Sequence, residues 1–185
     1  MKIVSIFAIV EESLYSAQFA EDGNDELSNT FENWNDPEYL KLFFEEHIQD
    51  LQSGFYGNIT IEEAIGNTLE EAEVLENQLY ETAINGKQNE QFTLQSLFKP
   101  LNDNETNTPP LQKNKLKGFN KKSWLRIYAI RIGPNLFVIS GGAIKLTHKM
   151  DREHLKHEIR KLEITKDYLK SKGIFDEYDF VYLEL

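Results

Sequence analysis

The sequence predicts an α+β fold, with helices packed on one face of a twisted antiparallel sheet, and three observations lead to it. Two stretches, 2–10 and 124–147, are rich in β-branched and aromatic residues and carry strand signals. Three others open on a helix-start residue (Asp36, Thr60, Asp151) and continue with apolar residues at helical spacing. The chain of 185 residues has no repeat and no internal domain boundary, which fits one compact unit.

Each element follows in order. Residues 2–10 (KIVSIFAIV) read as a buried first strand, and 20–35 as polar and irregular. Asp36-Pro37-Glu38 supplies an N-cap, a proline at the first helical position and an acid in the first turn. Leu40, Phe43, Phe44, Ile48 and Leu51 follow, with Gly54 just past the end. Thr60-Ile61-Glu62-Glu63 is a capping box for a second helix, striped by Ile65, Ala72, Leu75, Leu79 and Ala83 and stopped at Asn85-Gly86. Residues 92–101 read as extended, and 102–112 as a polar loop with a Pro-Pro pair. Residues 124–132 alternate, turn at Gly133-Pro134-Asn135, and continue through 136–140. A bulge or bend at Gly141-Gly142 precedes a further strand segment at 143–147. A helix capped by Asp151 and closed by Gly173 follows, then an extended acidic, aromatic tail. The single domain thus divides into an acidic strand-helix-helix part (1–101), the loop (102–112), a basic β-hairpin sheet (113–150) and a C-terminal helix and tail (151–185).

Composition limits what the chain can do. With no cysteine, disulfides and thiolate metal sites are excluded. The apolar start ends at Glu11-Glu12, too short for a membrane span and unlike a signal peptide, so a cytoplasmic protein is expected. The net charge of −11 argues against nucleic acid only when taken whole. Residues 1–110 hold 22 acids against 4 bases, residues 111–150 hold 9 bases and no acid, and residues 151–185 hold 9 acids and 7 bases. The cationic side therefore lies on the β region.

Alternation over 124–132 places Leu125, Ile127, Ala129 and Arg131 on one face, and Trp124, Arg126, Tyr128, Ile130 and Ile132 on the other. Arg126 and Tyr128 become neighbours suited to a phosphate and to a base or ribose. Lys113, Lys115, Lys117, Lys121 and Lys122 precede this strand, and Lys145, His148 and Lys149 follow the last one. Two readings stand: a cationic surface that binds RNA, or cations that neutralise the protein's own acidic helices and solvate the sheet.

The run SWLRIYAIRIGPNLFVISGGAIKLTHKM (123–150) resembles the core hairpin of the RelE/ParE-like toxin superfamily, particularly its HigB-like branch. Leu125-Arg126 matches that family's Arg-containing strand start, and Ile144-Lys145-Leu146-Thr147-His148-Lys149 is similar to its Lys/Thr-rich segment. The resemblance covers about thirty residues. Family members are shorter and basic, whereas this chain adds a long acidic helical part, a C-terminal helix and a tail. The resemblance implies a RelE/ParE-like fold and the toxin of a bacterial type II toxin–antitoxin pair, an mRNA interferase that works without a metal or other cofactor. It implies as partners RNA, free or on the ribosome, and a protein antitoxin, often of helix-turn-helix type, with no membrane association. Such an endoribonuclease needs a group that takes the ribose 2′-OH proton, cations on the pentacovalent phosphate and an acid for the leaving 5′-oxygen. Carried over, Arg126 and Lys145 stabilise the phosphate, and His148 supplies proton transfer near neutrality. Lys117, Lys122, Arg131 and Lys149 hold RNA, and Tyr128 stacks on a base or shares the proton transfer.

Other signals point elsewhere. His148, His154 and His157 form a conceivable His-only metal site, without a matching carboxylate pattern. Gly141-Gly142 lacks the strand-to-helix context of a phosphate loop. The glutamate-rich helices read as solvated faces. Two rival functions remain open: a toxin of the same fold that binds a protein target such as gyrase, and a non-catalytic interaction module.

Overall fold

In the computed structural model, which describes residues 1–183, the chain is α+β, built on one six-stranded mixed sheet. β1 (Ile3–Val10) and β2 (Leu14–Phe19) form an antiparallel hairpin, and β2 lies parallel to β6 (Leu136–Ile144). β6 pairs antiparallel with β5 (Leu125–Gly133), β5 with β4 (Gln112–Lys117), and β4 with the two-residue β3 (Lys99–Pro100). The sheet is thus mixed where a wholly antiparallel one was expected. The cause is β2, whose Leu14, Tyr15, Ser16, Ala17 and Phe19 are all buried. With both faces covered, it carries no alternation for a sequence pattern to catch.

Helices flank both faces. α1 (Glu26–Trp34) lies within the segment read as irregular, capped by Asp25, whose carboxylate accepts from the amides of Leu27 (3.0 Å) and Ser28 (3.1 Å). α2 (Pro37–Glu46) starts at the Asp36 cap but breaks at His47, and α3 (Ile48–Leu51) carries on for one turn. α4 (Ile61–Asn85) has its capping box formed: the Glu63 amide donates to Thr60 Oγ1 at 3.2 Å, and the Thr60 amide to Glu63 Oε2 at 2.8 Å. Residues 94–96 form a short 3-10 turn where an extended segment was expected. α5 (Glu153–Ser171) begins after Arg152 rather than at an Asp151 side-chain cap, and Gly173 ends it with a φ of 76°. The tail turns helical in α6 (Glu177–Phe180), capped by Asp176. The expectation of an extended tail at 184–185 lies outside the described residues.

The core has two halves. Leu27, Phe31 and Trp34 of α1, Leu40 and Phe44 of α2 and Leu75 and Leu79 of α4 pack on Leu125, Ile127, Ala129, Phe137 and Ile139. Across the sheet, Leu155, Leu162 and Leu169 of α5 pack on Tyr128, Ile130, Ile132 and Val138. The cationic strands therefore do not present an open second face, as the one-faced packing would have it. Ile130 and Ile132 are 0% and 1% exposed, and leaving each in water would cost on the order of 1.5–3 kcal/mol, so α5 covers them. Trp124 also departs from the strand alternation. It precedes β5 and turns into the helical half, where Nε1 donates to Thr68 Oγ1 at 3.0 Å and the ring meets Phe44 and Tyr56 edge-on.

Candidate functional site

Topology collects the cations at one end of the sheet. β4 runs to that end, β5 starts there and β6 finishes there. The register sets Lys117 opposite Arg126, and Arg126 opposite Ala143, two residues before Lys145. Two cavities open at this end, of about 840 and 350 Å³, and Lys117, Arg126, Lys145 and His148 line both. Lys99, Lys115 and Lys121 add to the larger, and Lys122 to the smaller.

Each cavity has one acid in its wall, and both acids are taken. Asp103 is paired with Lys115 at 2.8 Å. Asp50 receives a two-pronged contact from Arg152, Nε to Oδ2 at 2.7 Å and Nη2 to Oδ1 at 2.6 Å. This guanidinium pulls the Asp50 carboxyl below its ordinary range despite burial. Among the described residues, no carboxylate lies within ion-pair distance of Arg126, Lys117, Lys121, Lys122, Lys145 or Lys149. Of the basic run, Lys113 is bonded to Glu163 of α5 and Lys115 to Asp103, so neither neutralises the acidic helices α2 and α4.

Backbone carbonyls position the central cations. Arg126 donates through Nη1 to the carbonyls of Ser123 (3.0 Å) and Leu125 (2.7 Å). Lys145 donates through Nζ to those of Thr147 (2.6 Å) and His148 (2.7 Å), folding the chain after β6 back on itself. Burial, with Arg126 and Lys115 nearby, holds the Lys145 pKa below the usual lysine range. His148 is exposed, with its ring edge-on to Phe55 at 5.1 Å. Lys117 donates to the Lys121 carbonyl (3.0 Å), and Lys122 to the Phe55 carbonyl (2.6 Å). Glu71 of α4 holds the intervening loop, accepting the Asn120 amide at 3.0 Å, and Lys149 stays in water.

Two expected RNA contacts need correction. Arg131 is 6% exposed and spent internally: Nε and Nη2 donate to Gln95 Oε1 (3.0 and 2.7 Å), and Nη1 to the Thr108 carbonyl (3.0 Å). It ties the loop before β4 to the sheet. Tyr128 is 1% exposed, its ring under α5 and its hydroxyl 3.7 Å from Met150 Sδ. The ring cannot stack on a base, and burial raises the phenol's pKa.

The histidines do not converge on a metal. His154 Nε2 lies 3.0 Å from the Ile144 carbonyl with its ring against His47, His157 points outward, and among the described residues no group of three potential ligands forms.

Sequence reasoning passed over Phe55 and Tyr56, whose signal was an aromatic pair flanked by Gly54 and Gly57. It also passed over a buried ionic cluster. Lys161 of α5 contacts Glu26 (2.6 Å) and Glu158 (3.2 Å) beside a 430 Å³ cavity, and among the described residues Glu26 Oε1 and Glu158 Oε2 have no hydrogen-bond partner. Burial lifts both carboxyls, Glu26 to about 8 and Glu158 to about 7, against the pull of Lys161. Gly141, at φ 151°, makes room, since a Cβ there would stand 1.9 Å from Glu158 Oε2. Compared with known proteins, the chain matches no family model, no curated protein and no solved structure.

Proposed function

We propose that this chain is a toxin of RelE/ParE-like, HigB-like kind from a type II toxin–antitoxin pair, cutting mRNA in the cationic cleft. The observation that carries the reading is the meeting of Arg126, Lys145 and His148. They line the same two cavities, in whose walls the only acids among the described residues, Asp50 and Asp103, are already paired. An unneutralised cluster of this kind is suited to a polyanion.

The reaction uses side chains alone. His148 takes the proton of a ribose 2′-OH, and the freed oxygen attacks the adjacent phosphorus. A 2′-O–P bond forms as the P–O5′ bond breaks. Arg126 and Lys145 stabilise the charge on the pentacovalent phosphate. The 5′-oxygen leaves with a proton from Lys145, whose lowered pKa suits it to give one up. The products are a 2′,3′-cyclic phosphate and a 5′-hydroxyl. A protein antitoxin with an acidic or aromatic segment would cover the same cleft.

The test is tightly induced expression of wild type beside Lys145→Ala and His148→Ala, with mapping of mRNA ends. Growth arrest with new ends, absent in both variants, is expected. Arrest without new ends would point to a protein target, and soluble protein without arrest would point to an interaction module.

A further inference from the structure

We propose that the 350 Å³ cavity is a nucleobase subsite, in which Phe55 is the stacking face for one unstacked base of single-stranded RNA. The inference rests on the proposed function and extends it to residues outside the cationic run.

Phe55 is 43% exposed, which alone would mean little, since single apolar side chains on surfaces are common. Its setting gives the exposure meaning. The ring packs T-shaped with Tyr56 at 4.8 Å and with His148 at 5.1 Å, and the Lys122 ammonium sits over one of its faces, 5.1 Å from the centroid, so a base would use the other face. Lys122 also grips the Phe55 carbonyl at 2.6 Å, and the Tyr56 hydroxyl donates toward the carbonyls of Lys145 and Leu146, both at 3.3 Å. The aromatic turn is therefore fastened to the strand end that carries Lys145. Gly54 and Gly57, at φ 94° and 79°, make the sharp turn that lifts the ring out of the core.

A pinned, partly exposed ring beside Arg126 and Lys145 combines the two elements that bind single strands: a π-face for the base and cations for the backbone. The volume lies in the range of small-ligand pockets, roughly 300–1,000 Å³. A base stacked on Phe55 also brings its ribose near His148, whose ring centroid lies 5.1 Å from that of the phenyl. Duplex RNA keeps its bases stacked internally and cannot use this face.

The test measures binding of fluorescein-labelled, 2′-O-methylated hexaribonucleotides, which lack the attacking hydroxyl, with and without an abasic position. The full-length wild type, Phe55→Ala, Phe55→Leu, Phe55→Trp and Arg126→Ala are compared, with circular dichroism as the check on folding. Phe55→Ala and Phe55→Leu should each weaken binding about 5- to 100-fold, the worth of one stacked base. Phe55→Trp should restore it, and an abasic probe should bind wild type and Phe55→Ala alike. Leucine preserves apolar bulk, so its failure cannot be blamed on lost packing. If Arg126→Ala weakens binding while Phe55→Ala and Phe55→Leu do not, the subsite is wrong and the cleft reading survives. If the wild type binds no single strand even at low salt, both fall.

Discussion

The Lys145 ammonium has three protons and gives two of them to the carbonyls of Thr147 and His148, leaving one for a phosphate oxygen. Lys145→Ala removes that donor and the clasp on the chain after β6, so RNA cleavage should fall about 10²–10³-fold, the usual effect of losing one such donor. Because Lys145 is held below the usual lysine range, the wild-type rate should decline with rising pH before an ordinary lysine would titrate. That alkaline limb should disappear in Lys145→Arg, whose guanidinium does not deprotonate. Single-turnover rates over a pH series read both effects. That Arg126, Lys117, Lys122, Lys145 and His148 gather in one basic region was legible from the sequence because they stand in a run without carboxylates. Arg131 and Tyr128 were not, because alternation assigns a face but not a depth, and α5 and Gln95 take up what the pattern left open.

The same limit holds for elements. α2 and α4 were legible from their caps, since Asp36 and Thr60 satisfy amides that any helix start exposes. β2 was hidden by burial on both faces. β4 was hidden because it turns polar residues inward: Gln112 Nε2 donates to Glu105 (2.8 Å) and to the Asn107 carbonyl (2.8 Å), and Asn114 Nδ2 bonds back to Gln112 (3.2 Å). The loop from β4 to β5 depends on contacts the sequence does not announce. A Cβ on Gly118 would stand 2.2 Å from Ser123 Oγ and 2.3 Å from Glu71 Oε1. Gly118→Ala should therefore destabilise by about 1–3 kcal/mol and weaken RNA binding through the displaced Lys117, Lys121 and Lys122. Denaturant unfolding and anisotropy would measure the two effects separately.

Across the whole molecule, the charge separation seen along the chain becomes a spatial one, with the free cations at one end of the sheet and the acidic helix α4 on one face. RNA binding should therefore weaken steeply with salt, with a log–log slope of about −0.7 for each phosphate neutralised. The buried carboxyls add a second property. Glu26 and Glu158 bind protons more tightly folded than unfolded, so between about pH 4.5 and 8 the native state holds the extra protons. Stability is then full at the acid end of that window and falls as pH rises through the two raised carboxyl pKa values. Glu158→Gln should flatten the fall, as thermal melts across the window would record. Asp50, held low by Arg152, acts oppositely and only below the ordinary carboxylate range. No helix of the described residues is long and apolar enough to cross a membrane.

The measurement closest to the central claim is the chemistry of the RNA ends produced by purified protein in a reconstituted translation reaction, with Lys145→Ala and His148→Ala alongside. A cleft that works through Arg126, Lys145 and His148 predicts cut mRNA with 2′,3′-cyclic phosphate or 3′-phosphate upstream ends and 5′-hydroxyl downstream ends, lost in both variants. Intact mRNA, cuts bearing 5′-phosphates, or cleavage that persists in the variants would contradict it.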